Sequence, residues 1–126
     1  MTTRLITAAA GLTSAALFLM LPPAVETRQT DSIRTIDVQL SRYAFSPERI
    51  EVRVGERVRL NVVSTDSTHG FRMKELGLNV KIPSGGKAVT VDLAPTQAGT
   101  FQITCSEYCG SGHRRMKASL VVTPGT

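Results

Sequence analysis

Residues 50–62 read Ile-Glu-Val-Arg-Val-Gly-Glu-Arg-Val-Arg-Leu-Asn-Val. Ile50, Val52 and Val54 alternate with Glu51 and Arg53. After a turn at Val54-Gly55-Glu56, the residues Val58, Leu60 and Val62 alternate with Arg57, Arg59 and Asn61. Successive side chains of a β-strand point to opposite faces, so a period of two marks a strand with one face in a core and the other in water. The pattern returns at Val89, Val91 and Leu93, at Phe101, Ile103 and Cys105, and at Ala118, Leu120 and Val122. Ser46-Pro47, Pro83-Ser84-Gly85-Gly86 and Ala98-Gly99 supply turn signals between these runs. Half-buried antiparallel strands at near-regular spacing, with no long helical stripe after residue 24, predict an all-β sandwich or barrel. A short helical turn fits around Pro47-Glu48-Arg49 or Met73–Leu76.

The chain has 126 residues, one domain's worth, with ten Gly, six Pro and no Trp. Aromatics are few, so Val, Ile and Leu must fill most of the core. The formal net charge of +5 suits an acidic partner or a membrane surface. Arg and Glu are nevertheless interleaved, as in Glu51–Arg59, and no block of six like charges occurs. The surface therefore reads as mixed and solvated with a basic excess, and nucleic-acid binding is not expected.

Arg4 precedes an uncharged, mostly apolar run from Leu5 to Leu21, stopped by Pro22-Pro23. As a helix this run reaches about 25 Å, slightly short of a typical hydrocarbon core. It reads as an uncleaved single anchor or as a cleaved export signal, although Leu21-Pro22-Pro23-Ala24 is a poor cleavage site. Either way residues 25–126 are expected on the outer side of the membrane, or in the periplasm after cleavage. Residues 1–24 form this segment, 25–32 a polar linker, and 33–126 the folded domain.

Residues 105–116 read Cys-Ser-Glu-Tyr-Cys-Gly-Ser-Gly-His-Arg-Arg-Met. Cys105 and Cys109 are the chain's two cysteines, and His113 and His69 its two histidines. Strand phase turns Cys105 inward with Phe101 and Ile103, and residues 106–115 read as a loop leading to a strand at Lys117–Val122. His69 follows a Ser/Thr/Asp-rich stretch after the strand that ends near Val63. Soft thiolate and thioether donors beside imidazole favour copper over hard cations. Two thiolates are able to bridge two copper ions, with one imidazole capping each. Met116 and the Glu107 main-chain carbonyl then remain as weak ligands. Three other readings use the same residues: a Cys105–Cys109 disulfide, a Cys/Cys/His/His zinc site that leaves Met116 idle, and a single blue copper that leaves Cys109 idle.

Cys105-Ser-Glu-Tyr-Cys109-Gly-x-x-His113-x-x-Met116 resembles the copper-binding signature of cytochrome c oxidase subunit II. Asp66-Ser-Thr-His69-Gly-Phe71 resembles that family's Asp-x-x-His segment. The likeness extends from about Ile33 to Val122. It implies a Greek-key cupredoxin fold with a dinuclear Cu(A) centre. It also implies that His69, Cys105, Cys109, His113 and Met116 bind copper through side chains, and Glu107 through its main-chain oxygen. The implied role is one-electron transfer from a cytochrome c-like donor to haem in subunit I of a haem-copper oxidase, where oxygen would be reduced. In the family the Glu107 side chain also helps to hold a magnesium ion at the interface with subunit I. A stand-alone exported cupredoxin, acting as an electron carrier or a copper storage or delivery factor, is the competing expectation.

The chain departs from that family in three ways. It offers at most one N-terminal spanning segment where two are usual. It has no Trp for a donor-docking cluster, so Tyr43, Phe45, Phe71 and Tyr108 are the aromatic candidates, with core packing the simpler role for the first three. The vicinity of the site is basic, with Arg72, Lys74, Arg114, Arg115 and Lys117, whereas docking faces for a basic cytochrome c are usually acidic. A neutral or acidic donor, or apolar docking, would accommodate this charge.

Overall fold

The structure is a computed structural model that describes residues 32–125. The expected N-terminal anchor or signal lies outside the described residues. Among the described residues nine strands form: β1 (Arg34–Ser41), β2 (Ala44–Ser46), β3 (Arg49–Arg53), β4 (Val58–Ser64), β5 (His69–Met73), β6 (Leu78–Ile82), β7 (Val89–Leu93), β8 (Gly99–Thr104) and β9 (Lys117–Thr123). They make two sheets, one ordered β2-β1-β4-β7 and the other β3-β9-β8-β5-β6. The result is the expected all-β sandwich.

Alternation in the sequence becomes alternation in burial. Ile50 and Val52 of β3 are buried between exposed Arg49, Glu51 and Arg53, and Val58, Leu60 and Val62 of β4 are buried in the same way. The inner faces meet in one core that includes Val38, Leu40, Phe45, Leu60, Phe71, Ile103 and Leu120. Burying a Leu, Ile, Val or Phe side chain contributes about 1.5–3 kcal/mol each. Phe45 of β2 and Phe71 of β5 meet edge to face, with ring centroids 6.0 Å apart, and so join the two sheets.

Two strand pairs differ from the antiparallel expectation. β1 runs parallel to β4, with Val38 opposite Val62, and β3 runs parallel to β9, with Val52 opposite Val122. The pattern of a strand reports which face is buried and carries nothing about the direction of its neighbour. Here the chain leaves the first sheet after β2, enters the second with β3 and returns with β4, and such crossovers are what parallel neighbours require. The helical turn expected near Met73–Leu76 is present as a 3₁₀ turn at Lys74–Leu76, ended by Gly77 at φ 65°. The alternative around Pro47-Glu48-Arg49 is not helical, because Arg49 already pairs with Ser119 of β9.

Candidate metal centre

The turn after β1, the β4–β5 loop and the long β8–β9 loop converge at one end of the sandwich. Cys105 directly follows β8 and keeps its phase, so its side chain turns inward below Ile103 and is 6% exposed. Cys109 is 4% exposed, and both thiols are free. Their sulfurs are 3.7 Å apart. His69, met as a loop residue in the sequence, is the first residue of β5, pairs with Ile82 and is fully buried.

Each sulfur faces one imidazole. Cys105 Sγ lies 3.8 Å from His69 Nδ1, and Cys109 Sγ lies 3.9 Å from His113 Nδ1. Met116 Sδ is 4.0 Å from Cys109 Sγ, and the Glu107 carbonyl oxygen is 3.1 Å from Cys105 Sγ. All six residues singled out in the sequence are therefore brought together. The Glu107 carboxylate instead points outward, 4.0 Å from Lys81 Nζ and 43% exposed.

The imidazole of His69 is oriented from behind. Its Nε2 is 2.7 Å from Asp66 Oδ1 and 3.3 Å from Ser67 Oγ. With Nε2–H donating to the carboxylate, the Nδ1 lone pair is left facing the sulfurs, as a ligand requires. Asp66 is itself held by the backbone N–H of Arg42 at 2.7 Å and of Ser67 at 2.5 Å. Partial burial pushes the Asp66 pKa up. The bonds from His69, Arg42 and Ser67 outweigh it and hold the carboxyl well below its ordinary range.

Close approach of the backbone is built in at Gly70. A Cβ there would collide with the side-chain oxygen and backbone nitrogen of Ser106 and with the Glu107 nitrogen. The bare backbone lets Gly70 N–H reach Cys105 Sγ at 3.5 Å. On the other side of the loop, Arg42 Nε donates to the Cys109 carbonyl at 2.7 Å. Tyr43 lies against Gly110 and Gly112, where any Cβ would strike its ring or hydroxyl. Hydrogen bonds from the Ser111 side chain and the Gly112 backbone lower the Tyr43 pKa. Arg42 was not singled out in the sequence, and Tyr43 only as an aromatic candidate with core packing as its simpler role. Their only signal was the pair of glycines inside the Cys109–His113 segment.

The donor set fits a soft cation. Burial, reinforced by the neighbouring Cys105, pushes the Cys109 thiol up to about 11. Without a cation the Cys109 sulfur is thus held as a thiol, and a bound metal would supply the charge that stabilises a thiolate there. A metal–thiolate bond is about 2.3 Å, so two sulfurs 3.7 Å apart are close enough for one ion to touch both. Among the described residues, His69, Cys105 and Cys109 offer ligand atoms within 4.8 Å of one another, all buried. The group fits a copper site.

Residues 10–122 match the cupredoxin-like domain family. The chain belongs to that family. Among relatives of this cupredoxin-like chain is cytochrome c oxidase subunit 2 of Thermus thermophilus. It is 32% identical over 88 residues, which are 70% of this chain and 64% of the relative. The chain therefore spans less than two thirds of that protein's length. A similar structure is the periplasmic domain of cytochrome oxidase subunit II of Bradyrhizobium japonicum, with TM-score 0.65, 18% identity, and 72% of this chain and 84% of the other covered. The metal-binding domain of a Cu(I)-exporting P-type ATPase of Streptococcus pneumoniae matches at TM-score 0.57 and 17% identity, covering 72% and 86%. At these identities the two structures speak for the shared sandwich alone.

The aromatic candidates separate cleanly within this cupredoxin-like fold. Phe45 and Phe71 are core residues at 1% and 0% exposure, while Tyr108 is 79% exposed. Tyr43 is half-buried and packs against the loop from Cys109 to His113.

Proposed function

We propose that this domain holds a dinuclear Cu(A) centre and is the electron-uptake domain of subunit II of a haem-copper cytochrome c oxidase. It would take electrons from a cytochrome c-like donor and pass them to haem in subunit I. The observation that carries the reading is the buried sulfur pair, 3.7 Å apart, with a different imidazole facing each sulfur. A single zinc or copper ion would use at most part of this set, and two ions would use all of it. His69, Cys105, Cys109, His113 and Met116 would bind through side chains, and Glu107 through its carbonyl. When bound, the copper pair supplies one-electron chemistry with the charge spread over two metals and two sulfurs.

The protein's own contribution is to hold that geometry fixed. Asp66 sets the His69 ring, Gly70 N–H donates to Cys105 Sγ, and Arg42 and Tyr43 brace the loop from Cys109 to His113. Ligands pinned to a stiff β frame move little when charge changes. Burial of both sulfurs excludes water. The outward Glu107 carboxylate, beside Lys81 in the domain alone, would join a magnesium site shared with subunit I. The domain would work outside the cytoplasmic membrane, exported by its N-terminal segment.

The test is the substitution Cys109→Ser in copper-reconstituted protein, followed by electron paramagnetic resonance. Loss of the mixed-valence signal is expected, because one sulfur cannot bridge alone. An unchanged signal would overturn the bridging role.

A further inference from the structure

Arginines on the sandwich pair with carboxylates. Arg34 pairs with Glu56 at 2.6 Å, Arg49 with Glu51 at 2.7 Å and Arg59 with Asp92 at 2.8 Å. Around the sulfur site, apart from Arg42 on the Cys109 carbonyl and Lys81 beside Glu107, basic side chains are left without carboxylates. Arg72, Lys74, Arg114, Arg115 and Lys117 are all exposed, and none has a carboxylate partner among the described residues. Arg72 and Lys117 flank Thr104 in register across β5, β8 and β9, which puts both on one sheet face. Thr104 runs directly into Cys105, and Lys117 directly follows Met116. Arg114 and Arg115 form the 3₁₀ turn with His113. Unpaired positive charge thus brackets both ends of the ligand loop.

An apolar anchor stands in the same loop. Tyr108 lies between the cysteines in sequence and is 79% exposed, against 40% for Ile33 and 38% for Leu76, the other exposed large apolar residues among those described. Its ring tilts against His113 at a centroid distance of 5.8 Å. A partner resting on Tyr108 would sit one residue from the Cys109 sulfur. Aromatic anchors ringed by charge are typical of protein docking faces, and the charge selects the partner by complementarity and steering.

We propose that Tyr108, with Arg114 and Arg115 of the same loop and Lys117 at its end, is the docking face for an acidic redox protein. This rests on the electron-transfer reading and specifies its donor. A basic cytochrome would meet like charge on a chain of net charge +5 and be repelled.

The test uses the full chain, copper-free and reduced, isotopically labelled for nuclear magnetic resonance. The probes are a basic c-type cytochrome and the same cytochrome with its lysines succinylated, which makes it acidic. The acidic form is expected to bind at low salt, shifting the amides of Tyr108, Arg114, Arg115 and Lys117. Its affinity should fall about tenfold or more when salt is raised to screen the pairs. Reversing Arg114, Arg115 and Lys117 to Glu should transfer the preference to the basic form. Tyr108→Ser, checked for folding by its melting transition, should weaken binding and leave the salt dependence in place. Equal or tighter binding of the basic form overturns the proposal. So do shifts confined to another face, or the same amides answering phosphatidylserine vesicles and neither cytochrome. Copper stoichiometry is measured separately. Two coppers with no binding of the acidic probe defeat the docking face alone, and acidic-probe binding with one copper defeats only the Cu(A) reading.

Discussion

Arg42 Nε donates to the carbonyl of Cys109 at 2.7 Å, across 67 residues of sequence. The backbone N–H of the same Arg42 bonds Asp66, which orients His69. One residue of the β1–β2 turn therefore touches both halves of the site. A charged donor to a part-buried carbonyl contributes roughly 1.5–3 kcal/mol. Arg42→Ala is expected to lower the unfolding free energy by an amount in that range, read as a lower urea midpoint with the denaturant slope unchanged. A change below a few tenths of a kcal/mol would show that the bond does not hold the loop.

Asp66→Asn removes the carboxylate behind His69. Orienting partners of this kind typically change metal affinity by about 10–100-fold, so copper affinity should fall by that order in a competition titration with a chelator. The acid limb of stability should change too. The folded Asp66 carboxyl titrates below its unfolded value, so the unfolded chain binds the extra proton first as pH falls. Stability from this group is present above about pH 4 and is lost as pH drops through the folded value. In copper-free protein the variant should lose part of the rise in unfolding free energy with pH over that window. Parallel acid limbs would contradict the role.

Gly70→Ala puts a methyl into the backbone of Ser106 and Glu107. Overpacking of this sort costs about 1–3 kcal/mol. Because the collision is at the Cys105 side of the loop, copper uptake should suffer together with the melting temperature. A variant with wild-type melting and copper uptake would mean the loop yields freely.

Cys109 gives an alkaline counterpart. Its thiol is pushed up to about 11 in the folded, metal-free protein, above the value of about 8.5 for a free cysteine. The folded state keeps its proton while the unfolded state loses it. The contribution is therefore complete below about pH 8.5 and is lost as pH rises toward 11. Cys109→Ser should flatten that part of the stability profile, measured by chemical denaturation under reducing conditions. An identical slope would show that the thiol is not held protonated.

How far the sequence revealed this architecture depended on whether the information was local. β3, β4, β7, β8 and β9 announce themselves by strict alternation, with turn residues around them. β6 has the same alternation, with Val80 and Ile82 more buried than Asn79 and Lys81. It escaped assignment because Met73, Leu76 and Val80 also carry the three-to-four spacing of a helix. β5 shows no alternation, since His69, Gly70 and Phe71 are all buried beneath the ligand loop. The parallel pairings were invisible because residue pattern does not encode strand direction. At the site, Cys105 to Met116 could be read because the donors are close in sequence. The braces from Arg42 and Tyr43 join distant segments and leave no periodic trace.

Metal count is the most direct test of the central claim, that two buried sulfurs and two imidazoles hold a pair of copper ions. Reduced protein is reconstituted with copper, freed of excess metal and measured for copper per chain, with its paramagnetic spectrum recorded. An electron shared equally by two copper nuclei of spin 3/2 splits into seven lines, whereas one nucleus gives four. Two coppers per chain and a seven-line pattern are the predicted result. A single copper with four lines would contradict the account.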